Sequence, residues 1–312
     1  ENLSQILRER YTVQNANLNQ EILNNTSLLL MNGVEDSLSN NEYQNLSDYI
    51  SNGGNLLITQ NRIKTDLSTQ QANIIESNIF TLLDSYGLYI QPNLVLDRNC
   101  GKVNVQQNLG FLRIPVPMDY PFLPVIQKKY LNKDIVMVNG LESLRLMFPS
   151  EIILDDSISN AIPLFTSSNQ STSMEEFFNL NPSPDSNPSF QQLNENGKIL
   201  GAIADSTNYN IGNGRVILIS DSKFMADDGG GAAGENHIFI MNAIDYLLGD
   251  QELIALRSRE ITNRPLIELE DNAKTKWKWI NILLPTILVI AFGIYRMRRE
   301  ASRSKMLEEI YD

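Results

Sequence analysis

Cysteine and histidine are almost missing from this chain of 312 residues, which holds one of each, Cys100 and His237. One thiol excludes an internal disulfide and a cysteine-based zinc cluster. A Ser-His-Asp or Cys-His constellation is possible only through His237. Positive charge is also scarce, with 25 Lys and Arg against 37 Asp and Glu and a net charge of −12. Nucleic-acid phosphates are met by Lys and Arg, so this balance argues against nucleic acid as a partner. Glycine clusters in DDGGGAAGEN, which follows neither G-x-G-x-x-G nor the P-loop pattern. A nucleotide site is therefore not expected.

Long apolar runs are missing too, until WKWINILLPTILVIAFGIY, from Trp277 to Tyr295. A bilayer span needs about 17–25 mainly apolar residues. From Ile280 to Tyr295, ten residues are Ile, Leu, Val or Phe. Together they favour insertion by roughly 3–6 kcal/mol. Asn281 and Pro285 lie near one end, where polarity and a helix break cost less. Trp277, Trp279 and Tyr295 suit interfacial belts, and Phe292 extends the apolar surface. Arg296, Arg298, Arg299, Arg303 and Lys305 follow the run, and Lys274, Lys276 and Lys278 precede it. The positive-inside bias places the C-terminus in the cytoplasm and the large N-terminal part outside the cytoplasmic membrane.

That N-terminal part reads as α/β. LSQILRERY is helix-like, and Ser27–Val34 reads as a buried strand. Ser39 and Glu42 form a capping-box pattern before a helix carrying Tyr43, Leu46 and Ile50 on one face. Gly53-Gly54 stops it, and Asn55–Thr59 is the next strand, the rhythm of a βαβ unit. The stripe Ala72, Ile75, Ile79, Leu82 and Tyr86 predicts a helix over about Ser68 to Tyr86, ended by Gly87. Four prolines between Leu94 and Ser150 predict short strands joined by fixed turns. Asp134–Phe148 and Ala161–Ser168 read as strands with turns, and Asn181–Ser189 as a surface loop. KILGAIAD and GRVILISD read as a hairpin. A helix from Asn236 to Leu248 closes the domain, and a charged stretch leads on to the apolar run.

Asp221 ends a strand before the glycine-rich loop. Ligands of open α/β sheets bind outside the carboxyl ends of strands. Asp221, Ser222, Gly229, Gly230 and Gly231 are therefore the candidate ligand-binding residues, against a plain solvated strand end. No residue is assigned as catalytic and none as a metal ligand. Cys100 lacks a strand-to-helix elbow, and the pairs Asp155-Asp156 and Asp227-Asp228 read as loop charges. IPVPMDYPFLPVI (Ile114–Ile126) is either a partner surface or core.

Six stretches carry a resemblance: LSDYISNGGNLLIT, LLDSYGLYIQPNLVLDRNCGKV, DYPFLPVI, GRVILISDSKFM, HIFIMNAIDYLLGDQELIALRSREITNRPL and INILLPTILVIAFGIYRMRR. In this order they resemble the GldG family, auxiliary or substrate-binding-like subunits of gliding-motility-associated ABC transporters. The resemblance implies a Rossmann-like, glutamine-amidotransferase-like ectodomain without the amidotransferase activity. It also implies an ABC permease as partner and, through it, a cytoplasmic ATPase. It further implies an N-terminal membrane segment and a first strand ahead of the opening helix, which are expected before residue 1 of this sequence.

The expected organisation is an N-terminal and middle α/β region over 1–195 and a C-terminal α/β portion over 196–256. A juxtamembrane linker over 257–276, a transmembrane helix over 277–295 and a basic cytoplasmic tail over 296–312 follow. The expected function is a non-enzymatic, cofactor-free auxiliary subunit anchored in membrane lipid. Trp277, Trp279, Asn281, Pro285, Phe292 and Tyr295 would anchor it or dock it on the permease. The alternatives are an anchored envelope hydrolase and a purely structural permease clamp.

Overall fold

The structure, a computed structural model, describes residues 3–23, 25–109, 112–205, 214–226, 234–250, 252–254 and 271–311. The chain divides into two units, Glu1–Thr262 and Asn263–Asp312. The first begins with α1 (Leu3–Arg10), β1 (Leu28–Asn32), α2 (Asn40–Ser51), β2 (Asn55–Thr59), β3 (Ile63–Asp66), β4 (Gln71–Ile74) and α3 (Ile79–Asp84). It continues with β5 (Leu88–Ile90), β6 (Asn93–Asp97), β7 (Cys100–Leu109), β8 (Leu112–Gln127), β9 (Ser143–Arg145), β10 (Ile152–Leu154) and β11 (Asn160–Thr166). It ends with β12 (Ser171–Glu175), β13 (Ile199–Asp205), β14 (Arg215–Ile219) and α4 (Gly234–Leu248). The second unit contains α5 (Asp271–Tyr311).

The central sheet runs β1-β2-β14-β13-β11. β2 pairs parallel with β1 and with β14, whereas β13 pairs antiparallel with β14 and with β11. The sheet is therefore mixed. Successive side chains of a strand point to opposite faces, and that alternation sorts the core. Leu56, Ile58, Val216 and Leu218 meet Leu46 and Ile50 of α2 and Ile79, Leu82 and Leu83 of α3. Leu57, Ile217 and Ile219 meet Leu3 and Leu7 of α1 and Phe239, Ile240 and Ile244 of α4 on the other face. Burying one such Leu, Ile or Phe side chain contributes about 1.5–3 kcal/mol.

The βαβ rhythm is present. Ser39 Oγ accepts from Glu42 N while Glu42 Oε2 accepts from Ser39 N, closing the capping box. Gly53 takes φ 98° just past the end of α2, a left-handed turn that a glycine makes at no steric cost. At Gly54 a Cβ would stand 2.3 Å from the Tyr49 ring. The hairpin of KILGAIAD with GRVILISD is β13 with β14, in register from Gly201↔Ile219 to Asp205↔Arg215.

Between β2 and β13 the chain departs from expectation in two places. Residues Ser68–Tyr86 do not make one helix. β3 and β4 form a hairpin over Ile63–Ile74, and only Ile79–Asp84 is helical. The cause is local: Asp66 Oδ1 accepts from Ser68 N and Oγ, Asp66 Oδ2 accepts from Thr69 Oγ1, and Gln70 takes φ 55°. That turn reverses the chain before a helix can propagate.

The four prolines do not break the next segment into short strands either. Pro115, Pro117, Pro121 and Pro124 all lie within β8, the long partner of β7. Edge positions tolerate proline because no ladder N–H is needed there. The apolar stretch Ile114–Ile126 divides. Tyr120 and Phe122 are buried with Leu94, Leu96 and Phe148, and Ile126 joins the cluster of α1 and α4. The part before Tyr120 stays outside these clusters. Asp134–Phe148 yields only a 3-10 turn, Val136–Val138, and β9.

Candidate functional site

β1, β2 and β14 end side by side in the short runs Asn32-Gly33-Val34, Thr59-Gln60-Asn61 and Ser220-Asp221-Ser222. These carboxyl ends are where an α/β sheet would offer a ligand crevice. Here they bond chiefly to each other. Thr59 Oγ1 donates to Asn32 Oδ1 at 2.5 Å, and Gly33 N donates to Thr59 O at 2.8 Å. Gln60 Oε1 accepts from Val34 N at 2.7 Å while Gln60 Nε2 donates to Val34 O at 2.9 Å. Gln60 N donates to Ile219 O at 2.9 Å, bridging β2 to β14. Asn61 Oδ1 accepts from Ser222 N. Gly33 has φ 63°, and a Cβ there would approach Ser222 Cβ to 3.1 Å.

The segment 146–150 lies across these ends. Met147 N donates to Asp221 Oδ2 at 2.8 Å, Phe148 O accepts from Asn61 Nδ2 at 3.2 Å, and Ser150 N donates to Ser220 O at 3.3 Å. Phe148 holds φ 55°, a conformation a bulky residue keeps only when its surroundings fix it. Its N–H donates to Phe122 O at 2.8 Å and its ring stacks on Phe122 at 5.8 Å.

Asp221 is wholly buried. Its second oxygen, Oδ1, accepts from Lys223 N at 2.7 Å. Burial pushes its carboxyl up to about 7, against the lowering effect of the two backbone donors and the Lys223 charge. Ser222 is half-buried and Lys223 exposed. The structure thus brings Asp221 and Ser222 to the expected place, with the Asp221 oxygens engaged by the chain itself. Gly229, Gly230 and Gly231 lie outside the described residues, as do Asp227 and Asp228.

Sequence reasoning missed a second buried clamp, Asp97 at the end of β6. Its oxygens accept from Ser168 N at 2.5 Å, Ser168 Oγ at 2.7 Å and Asn99 N at 2.8 Å. Burial raises its carboxyl, and the Ser168 donors act the other way. The signal common to Asn61, Asp97 and Asp221 is a polar residue that closes a hydrophobic strand run. Cys100 begins β7, where burial, then the Asp119 charge, pushes its thiol up to about 12. An activated nucleophile needs the opposite shift. Asp155 is turned inward on its own loop, accepting from Ser157 N and Oγ.

In the second unit, α5 holds a stretch, Thr275–Ala301, long and apolar enough to cross a membrane. Trp277, Trp279, Phe292 and Tyr295 expose more than half of their surface within that unit. Pro285 lies inside the helix, and Thr286 Oγ1 donates back to Ile282 O at 3.2 Å.

A family model described as "ABC-type uncharacterized transport system" matches residues 1–243. An uncharacterized protein of Borreliella burgdorferi is 24% identical over 276 residues, which is 82% of this chain and 52% of that protein. The chain thus spans about half the length of this curated relative. Among solved structures, the mmIFT52 N-terminal domain is similar with a TM-score of 0.52 at 14% identity, covering 78% of this chain and 88% of that one. At that identity the likeness is one of fold.

Proposed function

This chain belongs to the ABC-type uncharacterized transport system family, and from that premise we propose that it is a non-enzymatic, membrane-anchored auxiliary subunit of an ABC transport complex of the gliding-motility type. The observation that carries this reading is the pairing of two features in one chain. The family match ends at residue 243, and a candidate membrane span follows at Thr275–Ala301. The cluster of Arg and Lys that follows Tyr295 supports a cytoplasmic C-terminus and an ectodomain outside the cytoplasmic membrane. We read the β1–α2–β2 unit as the Rossmann-like part of the ectodomain. ATP hydrolysis falls to a separate subunit, since the sequence carries no P-loop pattern.

Partner binding suits the ectodomain better than capture of a small ligand at the strand ends. The polar atoms of Asn32, Thr59, Gln60, Asn61 and Asp221 are bonded within the protein. A ligand approaching there would meet Ser222 and Lys223 before Asp221. We assign Trp277, Trp279, Asn281, Pro285, Phe292 and Tyr295 to the anchor and its contact with the permease.

The test is affinity purification of the tagged full chain from native membranes in mild detergent. A multi-span permease and a P-loop ATPase are expected to co-purify in fixed proportion. Recovery of this chain alone, under conditions that hold another ABC transporter of the same cells together, overturns the proposal.

A further inference from the structure

Among the described residues, the two outer edges of the β7–β8 hairpin differ in chemistry. The cross-strand register places Asn104 opposite Pro117 and Gln106 opposite Pro115. Proline has no N–H, so these are pairs without mutual hydrogen bonds. The ladder bonds therefore fall at Val103↔Met118 and Val105↔Val116. It follows that the backbone N–H and C=O of Lys102, Asn104 and Gln106 point away from β8, along the outer edge of β7. The outer edge of β8 is blunted, because two of its outward positions are Pro115 and Pro117. β9 covers β8 only at Val125–Gln127, and among the described residues β7 pairs with no strand but β8.

Exposed strand edges are normally guarded by charge, proline or a bulge. β7 has a bulge only at its base, between Cys100 and Lys102. From Val103 to Leu109 it reads VNVQQNL, with no charge, proline or glycine. Its one charged residue, Lys102, is matched within the hairpin by Asp119 at 3.1 Å. On one face Val105 and Val116 stand together outside all three core clusters.

We propose that the outer edge of β7 pairs with the same edge of a second copy of this chain. The pairing is antiparallel and makes a four-stranded β8-β7-β7-β8 sheet about a two-fold axis. The strand is compatible with itself in this register. Asn104 stands opposite Gln106 of the partner subunit, and both are outward-facing positions. Val105 stands opposite Val105 of the partner subunit, which extends the apolar face across the axis. The two Lys102 side chains lie about 20 Å apart along the strands, at a rise of ~3.3 Å per residue, so no like charges meet. Proline on β8 leaves β7 as the edge able to form a ladder.

The test uses the full chain in detergent, with protein mass measured by light scattering. The wild type is expected to be a dimer. N104K/Q106K and N104E/Q106E change exposed side chains and leave the β7–β8 ladder intact. Each is expected to be monomeric with an unchanged circular-dichroism spectrum and melting curve. Mixing the two variants is expected to restore a dimer, because each lysine then meets a glutamate. A wild type that stays monomeric overturns the proposal. So does a dimer that survives N104K/Q106K, which would place the contact elsewhere. Another protein lost from the preparation with N104K/Q106K, beside a monomeric wild type, would identify a different occupant of the edge.

Discussion

Asp221 has two oxygens, and each holds a backbone N–H, from Met147 and from Lys223. Asparagine offers one acceptor and turns an NH2 toward the other donor. Asp221→Asn should therefore leave one buried N–H unsatisfied and cost about 1–3 kcal/mol. Burial also holds the folded carboxyl up to about 7, above the ordinary value of 3.8. Between these values the folded chain keeps a proton that the unfolded chain has lost. This contribution is fully present below about pH 4, falls as pH rises and is gone above about pH 7. Urea midpoints measured from pH 4 to 8 should show that decline, and it should be shallower in Asp221→Asn. An equal slope in both proteins would assign the pH dependence to another group. The strand-end position of Asp221 and Ser222 was legible in sequence because they follow a hydrophobic strand run. Asn61, Gln60 and Met147 were not, because their partners come from distant parts of the chain and only the tertiary fold supplies them.

Legibility at the level of elements followed contact range. β1, α2, β2, the β13–β14 hairpin and α4 read directly from local signals: a capping box, a glycine stop and alternating or continuous apolar runs. The β-rich excursion between β2 and β13 did not. Several of its strands are short and pair across long separations, as β6 with β12 and β5 with β10. The false helix over Ser68–Tyr86 shows the competing physics, since a helical stripe of apolar residues yielded to an Asp66-centred turn. The junction of α2 with β2 gives a sharper test. A Cβ at Gly54 would come within 2.5 Å of three atoms of the Tyr49 ring. That ring is held by its hydroxyl, which donates to Thr26 O at 3.2 Å or Asn55 O at 3.3 Å. Gly54→Ala should cost about 1–3 kcal/mol through overpacking. Gly54→Ala combined with Tyr49→Leu should recover part of it. If Gly54→Ala melts with the wild type, the strand start is looser than this packing requires.

The whole molecule joins an α/β domain to an apolar helix, and what that helix does decides how the protein works. A pure tether needs hydrophobicity and length alone. The Thr275–Ala301 stretch carries more, since Asn281 is a side chain that hydrocarbon disfavours and Pro285 removes the N–H that would bond the Asn281 carbonyl. Such groups persist in membrane helices where a neighbouring helix satisfies them. One interhelical hydrogen bond contributes about 0.6–2 kcal/mol, and ~1.4 kcal/mol corresponds to about tenfold in association. Replacing residues 277–295 with an unrelated span of equal hydrophobicity should therefore keep the protein in the membrane fraction. It should reduce recovery of the proposed permease partner about tenfold. Restoring Asn281 and Pro285 alone in the replacement should return part of that recovery. Full assembly with the unrelated span would reduce the helix to a tether and assign all partner recognition to the ectodomain.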